Sequence, residues 1–508
     1  SKFVNWLKDD WLLKLGALLL LIGFGWLATY AFLNNWIGPM GRIVLGILAG
    51  VFFLLLGWWR IKKYLHQGGV FLAMGSTVIL LTVFAAREFY DFFTPATALV
   101  VMFLSTAFVA LASVKYNNRS LALGSLILAG VAPLLTNSPS HDYIALFSYL
   151  FVVILGAIWI VALTGQRILT MAALILVVLY SLPHLSSFVS QDQSTLLLFA
   201  YAFAGVFFMT NTAGIIKLKD KGIVPDLIAA AGNGLFLLAW IMTAAPEEWR
   251  SLIIAAWMII FLVGSFLVFK ATEKRISFYV YAGISIAFLA AATSAELKGA
   301  TLTIAYAIES GLISFLVYSI LRDIRVAERM GLLLIGPAVL SFESMNSSVW
   351  ATSIWHKDFF VLFVMALMLL GLGIYFLRRV KESGDKESSQ INAAFIYAGS
   401  IYVYILLWLS LHALLINDDT AVMMSLVFYT IVGIITYFYG RKNNKRGFRI
   451  YGGLLLGFVV ARLLFIDVWR MELTGRITTF FLIGALLVGT AFLGRKKKTL
   501  PDESGTNS

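Results

Sequence analysis

Residues 43–63 read IVLGILAGVFFLLLGWWRIKK, and the fold follows from how that stretch is read. From Ile43 to Trp59 there is no charge. An α-helix rises 1.5 Å per residue, so about twenty such residues cross the ~30 Å of hydrocarbon in a bilayer. Arg60, Lys62 and Lys63 follow at once, and short basic clusters of this kind gather on the cytoplasmic side of a membrane. One apolar crossing closed by a basic turn is therefore the unit to look for along the rest of the chain.

The unit recurs. Working outward, apolar runs fall at 11–33, 40–59, 68–87, 94–114, 118–135, 142–164, 168–187, 195–216, 223–243, 250–270, 276–293, 299–321, 327–342, 357–377, 391–414, 419–439, 447–469 and 474–494. This predicts an all-α, polytopic protein of eighteen spans. The weakest is 327–342, which is short and contains Pro337; a tilted, broken or re-entrant segment is the alternative there. The composition agrees. Of 508 residues, 60% are hydrophobic and 13% charged, against about 25% charged in soluble proteins. The chain has no cysteine, which excludes disulfides, thiolate nucleophiles and cysteine-ligated metals.

The net charge of +13 would suggest nucleic acid if the basic residues formed a patch. They sit instead between apolar runs. With the N-terminus inside and sides alternating, the inner loops and the N-terminal segment hold about 31 of the 39 basic residues. The largest inner groups are Arg378, Arg379, Lys381 and Lys386, the five between Arg441 and Arg449, and Arg495 to Lys498. A lost or extra span would scramble this separation. The pattern reads as nine helical hairpins with both termini cytoplasmic. Residues 1–379 carry hairpins one to seven, 380–390 form a charged cytoplasmic linker, 391–498 carry the last two hairpins, and 499–508 form a polar tail expected to be disordered. The run at 11–33 is too long for a signal-peptide core and reads as a retained anchor. The chain opens on Ser1, so a longer native N-terminus is expected.

The first and last hairpins resemble each other. Residues 20–63 and 454–497 align without a gap: Gly23-Phe24 with Gly457-Phe458, Gly41-Arg42-Ile43 with Gly475-Arg476-Ile477, Gly50 with Gly484, and Lys62-Lys63 with Lys496-Lys497. Both copies enter from one side, so a duplication here is parallel. Recurrence of Leu, Gly and Lys in any membrane hairpin is the bland alternative.

Ionisable groups in hydrocarbon cost several kcal/mol and ask for a reason. Glu309, near the middle of its span, is a candidate proton or substrate site, or a glutamate that holds helices together. Arg462 lies inside its span toward the outer end, with Asp467, Arg470, Glu472 and Arg476 after it; Arg42 stands at the outer end of the second span. These arginines either snorkel to headgroups or bind an anionic group such as a phosphate or carboxylate. His66, His141, His184, His356 and His412 show no metal-ligand spacing. His412 reads as a packing residue, and His141-Asp142 and His356 with Asp358 as candidate general-base pairs. Asn233, between Gly232 and Gly234, reads as an interhelical amide. There is no P-loop and no dinucleotide fingerprint, so no cofactor, metal or nucleic-acid partner is expected.

Several segments together carry a resemblance: Trp11-Leu-Leu-Lys-Leu-Gly-Ala-Leu-Leu-Leu20, Tyr30-Ala-Phe32, Trp36-Ile-Gly-Pro39, Ala305-Tyr-Ala-Ile-Glu309, Arg462-Leu-Leu-Phe-Ile-Asp467 and Gly475-Arg476. The chain resembles a large family of predicted bacterial membrane proteins classed as a domain of unknown function, over nearly its whole length. The resemblance implies a bacterial cytoplasmic membrane, a many-helix fold and no particular reaction. Three functions are open from the residues: transport or flipping of an anionic or lipid-linked envelope component in contact with membrane lipids, a membrane-embedded glycosyl- or acyl-transferase, and a scaffold without a ligand. The topology is directly testable. A reporter fused after Gly384 is expected to read cytoplasmic; a periplasmic reading would reverse every loop from 327 onward.

Overall fold

In hydrocarbon no water is present to bond backbone N–H and C=O groups, so a crossing segment must satisfy them internally. The computed structural model describes residues 38–136, 143–186, 193–218, 223–272, 275–383, 386–415, 417–467, 469 and 472–493, with isolated positions between 15 and 30. Among these every regular element is helical. The protein is an all-α, multi-pass membrane protein.

The chain divides into two units, Ser1–Ala295 and Glu296–Ser508. The first contains α1 (Pro39–Ile61), α2 (Leu65–Glu88), α3 (Pro95–Lys115), α4 (Arg119–Leu135), α5 (Tyr143–Thr164), α6 (Ile168–Ser186), α7 (Gln193–Leu218), α8 (Val224–Ala244), α9 (Glu247–Thr272) and α10 (Arg275–Glu296), the last running to the boundary. The second contains α11 (Gly299–Leu321), α12 (Ile324–Gly331), α13 (Ile335–Met345), α14 (Lys357–Ser383), α15 (Lys386–Leu414), α16 (Asp418–Lys442), α17 (Arg446–Arg462) and α18 (Leu473–Leu493). The charged segment 380–390 lies within the second unit, and α14 and α15 extend into it from both sides.

Fourteen helices among the described residues are long and apolar enough to cross a membrane, and Arg119–Leu135 and Leu473–Val488 are apolar but shorter. The segment around 327–342 is broken: α12 passes through a 3-10 turn, Leu332–Leu334, into α13. Pro337 explains the break, since it has no N–H to return to the carbonyl four residues earlier and its ring crowds that carbonyl. The two pieces together still run alongside α11. Most of 11–33, the His141-Asp142 pair and the tail 499–508 lie outside the described residues.

Packing is tightest across the basic turns, between α1 and α2, α14 and α15, and α16 and α17. Glycine is the cause. A Cβ on Gly57 would sit 2.7 Å from the Leu72 nitrogen, and one on Gly75 would sit 2.7 Å from the Gly50 carbonyl. Gly399 faces the Leu370 nitrogen in the same way, and Gly452 the Gly433 carbonyl. Small residues that let backbones touch are the usual means of joining helices in lipid, where apolar side chains gain little by leaving it. The turns themselves are short. Asn117 and Asn444 take positive φ of 45° and 52°, which asparagine tolerates better than most residues. Asn118 accepts the first free N–H groups of α4.

The faces of α1 separate cleanly. Gly50, Leu54, Gly57 and Ile61 are buried, while Leu48, Phe52 and Leu55 are about 60% exposed. Hydroxyls along the spans return to their own helix, as Thr82 does to the Val78 carbonyl at 2.7 Å and Thr430 to the Leu426 carbonyl at 2.7 Å. This is how polar side chains reside in hydrocarbon without an unmet donor.

The glycine contacts make a paired prediction. Gly57→Leu forces the backbones of α1 and α2 apart and is expected to destabilise the protein by about 1–3 kcal/mol. Gly69→Leu, where the nearest atom is the Asn118 side-chain nitrogen at 3.8 Å, is expected to be near neutral. Thermal unfolding midpoints of the two variants in detergent check this.

Candidate functional site

In the second unit, α15 and α17 both pack on α16 and face each other across a cavity of about 810 Å³. The sequence builds this from two stripes at helical spacing. Tyr397, Ser400, Ile401, Tyr404, Ile405, Trp408 and Leu409 line one wall; Ile450, Tyr451, Leu454, Leu455, Phe458 and Arg462 line the other. Recurrence every three or four residues puts each set on a single helix face. Tyr429 of α16 and Met345 at the end of α13 complete the lining.

Large side chains hold the two walls apart. Tyr397 stacks on Tyr451, with ring centroids 5.6 Å apart and planes within 16°. The hydroxyls of Tyr404 and Tyr451 are hydrogen-bonded, and the Tyr429 hydroxyl donates to the Tyr404 carbonyl. At the other end the guanidinium carbon of Arg462 lies 3.6 Å from the Trp408 ring centroid. A cation over an aromatic face is held by the ring's π electrons, and a guanidinium is the group with which arginine grips carboxylates and phosphates. His412 fixes the tryptophan in turn: its Nδ1 is 2.8 Å from the Trp408 carbonyl and its ring 4.2 Å from the indole. Ile401, Leu454 and Phe458 are 56%, 67% and 54% exposed, so the cavity opens sideways between the helices.

The structure gathers some of the residues expected from sequence and leaves others apart. Arg462 lines the cavity. Asp467 ends a π-helical turn, Leu463–Asp467, directly after it; such turns insert a residue into the helix and occur often at functional sites. Arg476 is half-buried in the first turn of α18, where its N–H bonds the Glu472 carbonyl at 2.9 Å. Arg42 belongs to the first unit and donates to the Tyr90 hydroxyl at 3.1 Å. Its N–H bonds the Gly38 carbonyl at 3.1 Å. Glu309 lies midway along α11, half-buried, and is not among the residues lining the cavity. His356 and Asp358 approach at 3.5 Å, with the His356 ring edge-on to Trp350. Asn233 donates to the Ala204 carbonyl at 3.0 Å, the interhelical bond its setting predicts.

The terminal repeat gains support from element register. α1 begins at Pro39 and α18 at Leu473, the same offset as the sequence alignment, and the Arg42 and Arg476 N–H groups make equivalent bonds.

Sequence reasoning did not single out Asp419, which accepts the Glu472 N–H at 2.8 Å and ties α16 to the start of α18. It also passed over Glu328 and Asn392, both fully buried and joined by an N–H···O bond of 2.7 Å between α12 and α15. Glu328 stands among Arg322, Arg325 and Arg329, and that basic setting hid it. Among the described residues no three of His, Cys, Asp or Glu are grouped to hold a metal.

Helices with lipid-suited faces and a lateral aromatic cavity define a multi-pass helical membrane protein. The family model described as "Predicted membrane protein (DUF2339)" matches residues 8–357 and 330–496, and the chain belongs to that family. No curated protein and no solved structure matches the chain.

Proposed function

We propose that the protein binds an anionic, lipid-linked component of the bacterial cell envelope and moves it across or along the cytoplasmic membrane, with the cavity between α15 and α17 as its binding site. The observation that carries the reading is a guanidinium at one end of a long aromatic groove. From Tyr397 to Trp408, and from Tyr451 to Arg462, the groove advances eleven residues, about 16 Å along a helix. That is close to the depth of one leaflet, half of a ~30 Å hydrocarbon core. Arg462 lies sixteen residues from the basic turn at Arg446, about 24 Å away, which sets it near the opposite interface. A chain lying in the groove would run from Tyr451, about 8 Å from the basic turn, past the bilayer midplane and present its charged head to Arg462. With the basic turns and both termini on the cytoplasmic side, that head lies toward the outer face.

The reading is tested with purified protein in liposomes. A fluorescent polyprenyl phosphate is expected to bind, and Arg462→Ala to weaken it at least tenfold, about 1.4 kcal/mol. The uncharged polyprenol of equal length is expected to bind more weakly and to be indifferent to the substitution. Transbilayer movement of the phosphate is followed in the same vesicles with wild type, Arg462→Ala and Glu309→Gln. Equal affinity for phosphate and alcohol, or binding unchanged by Arg462→Ala, overturns the site.

A further inference from the structure

A second polar site lies in the first unit, where α6, α7, α8 and α10 converge near their basic turns. Asp226, in the first turn of α8, is fully buried. Its Oδ2 is 3.5 Å from Nε of Arg167, a residue of the turn between α5 and α6. A well-made charged pair closes to about 2.7–2.9 Å, so this carboxyl is held loosely. The Arg167 guanidinium lies against Gly214, and its Nη1 reaches the Thr210 carbonyl only at 3.5 Å.

Thr170 settles where a proton would go. Its Oγ1 is 2.6 Å from the Arg167 carbonyl and 3.4 Å from Asp226 Oδ1. A hydroxyl has one proton and two lone pairs. With that proton committed to the short bond, the oxygen can meet Asp226 favourably only by accepting a proton from the carboxyl.

The surroundings are polar beyond what the pair needs. Asn211 is fully buried, and neither atom of its amide has a hydrogen-bond partner. The Asn233 bond to Ala204 fixes the antiparallel register of α7 and α8. Each step along one is a step back along the other, so Asn211 stands level with Asp226, two turns beyond Ala204 on the face turned to α8. From α10 come the fully buried Ser277, whose hydroxyl also has no partner, and, one turn on, Tyr281, bonded to Thr212 at 3.0 Å. Buried polar groups left unmet are rare, and a bound water or ion is a usual reason for them. Among the described residues, the charged or titratable groups facing Asp226 are Arg167 and Tyr281. Lys217 of α7, Lys270 of α9 and Arg275 of α10 are exposed.

We propose that Asp226 is a proton-binding site entered from the face of the basic turns. Its carboxylate takes a proton from water on that face and becomes the neutral acid, donating to Thr170. Arg167 keeps its own proton and loses its counter-ion, so the cluster passes from neutral to a single positive charge. Desolvation of the buried carboxylate opposes its attraction to Arg167, so protonation relieves the one as it forfeits the other. Asn211 and Ser277 supply the polar lining through which the proton and its water are held.

Infrared titration of the full-length protein in nanodiscs tests this. The expected result is a carboxylic-acid C=O band that disappears as pH rises, shifts in D2O and with [4-13C]aspartate, is absent in Asp226→Asn and persists in Glu309→Gln. Thr170→Val, which keeps the ion pair and the fold, is expected to lower the proton affinity of that band at least threefold. It also serves as the reporter if Asp226→Asn does not fold. The absence of a titrating aspartic-acid band, or a band that neither variant changes, would show a permanent ion pair, and a proton affinity raised by Thr170→Val would show that Thr170 donates to the carboxylate rather than accepting from the acid; each overturns the proposal. The outcome is independent of lipid binding at Arg462.

Discussion

Each backbone N–H or C=O left unbonded in hydrocarbon costs several kcal/mol, and the architecture of this protein depends on that penalty. It restricts the crossing segments to helices, and it bears on the places where the helical ladder changes. At Leu332–Leu334 a 3-10 turn interrupts the helix ahead of Pro337 alongside α11, with Leu334 buried and Leu332 and Leu333 exposed. The same penalty governs many hydroxyls of the spans, such as Thr82 and Thr430, which bond backward to their own carbonyls, and Asn118 of a basic turn, which serves the free end of the next helix.

Once every segment is a helix, side-chain volume decides how the helices meet. Where glycine faces backbone, as at Gly57, Gly75, Gly399 and Gly452, the two helices touch along their length and leave no space. Where tyrosine and tryptophan face each other, as at Tyr397 and Tyr451 or at Trp408 and Arg462, the helices stand apart and a cavity forms. The second unit uses both arrangements on neighbouring pairs. α16 and α17 are drawn together by Gly433 of α16 and Gly452 on one face of α17, while another face of α17 is held off α15 by aromatics.

The arginines illustrate how much of a site can be read from a chain. Arg462 stands out because a charge inside an apolar run needs a reason, and it does line the cavity. Its partner Trp408 gives no such signal, since tryptophan is common in spans, and the tyrosines look like ordinary interfacial or packing residues. Only their shared helix face, across two helices more than forty residues apart in sequence, makes them one surface. Asp226 was hidden for the opposite reason. It follows Pro225 at the start of a span, where an acidic residue is ordinary helix-capping chemistry, and Arg167 looked like one more loop charge. Full burial of Asp226 beside a partly buried Arg167, which a linear sequence does not display, is what sets them apart.

The sequence by itself determined the solvent of this protein, its secondary structure and, through the separation of basic residues, an expected topology, because hydropathy and charge act residue by residue against the bilayer. It also carried the likeness of the first and last hairpins, since Gly41-Arg42-Ile43 and Gly475-Arg476-Ile477 occur at one offset. The tertiary structure alone decided that packing is closest across the basic turns, that the chain divides at Ala295, and that Arg462 rather than Glu309 faces a cavity. These are pairwise properties. They depend on which faces of distant helices are turned toward one another, and a helix that is apolar all round, as most spans here are, does not reveal in its own sequence which face meets protein and which meets lipid.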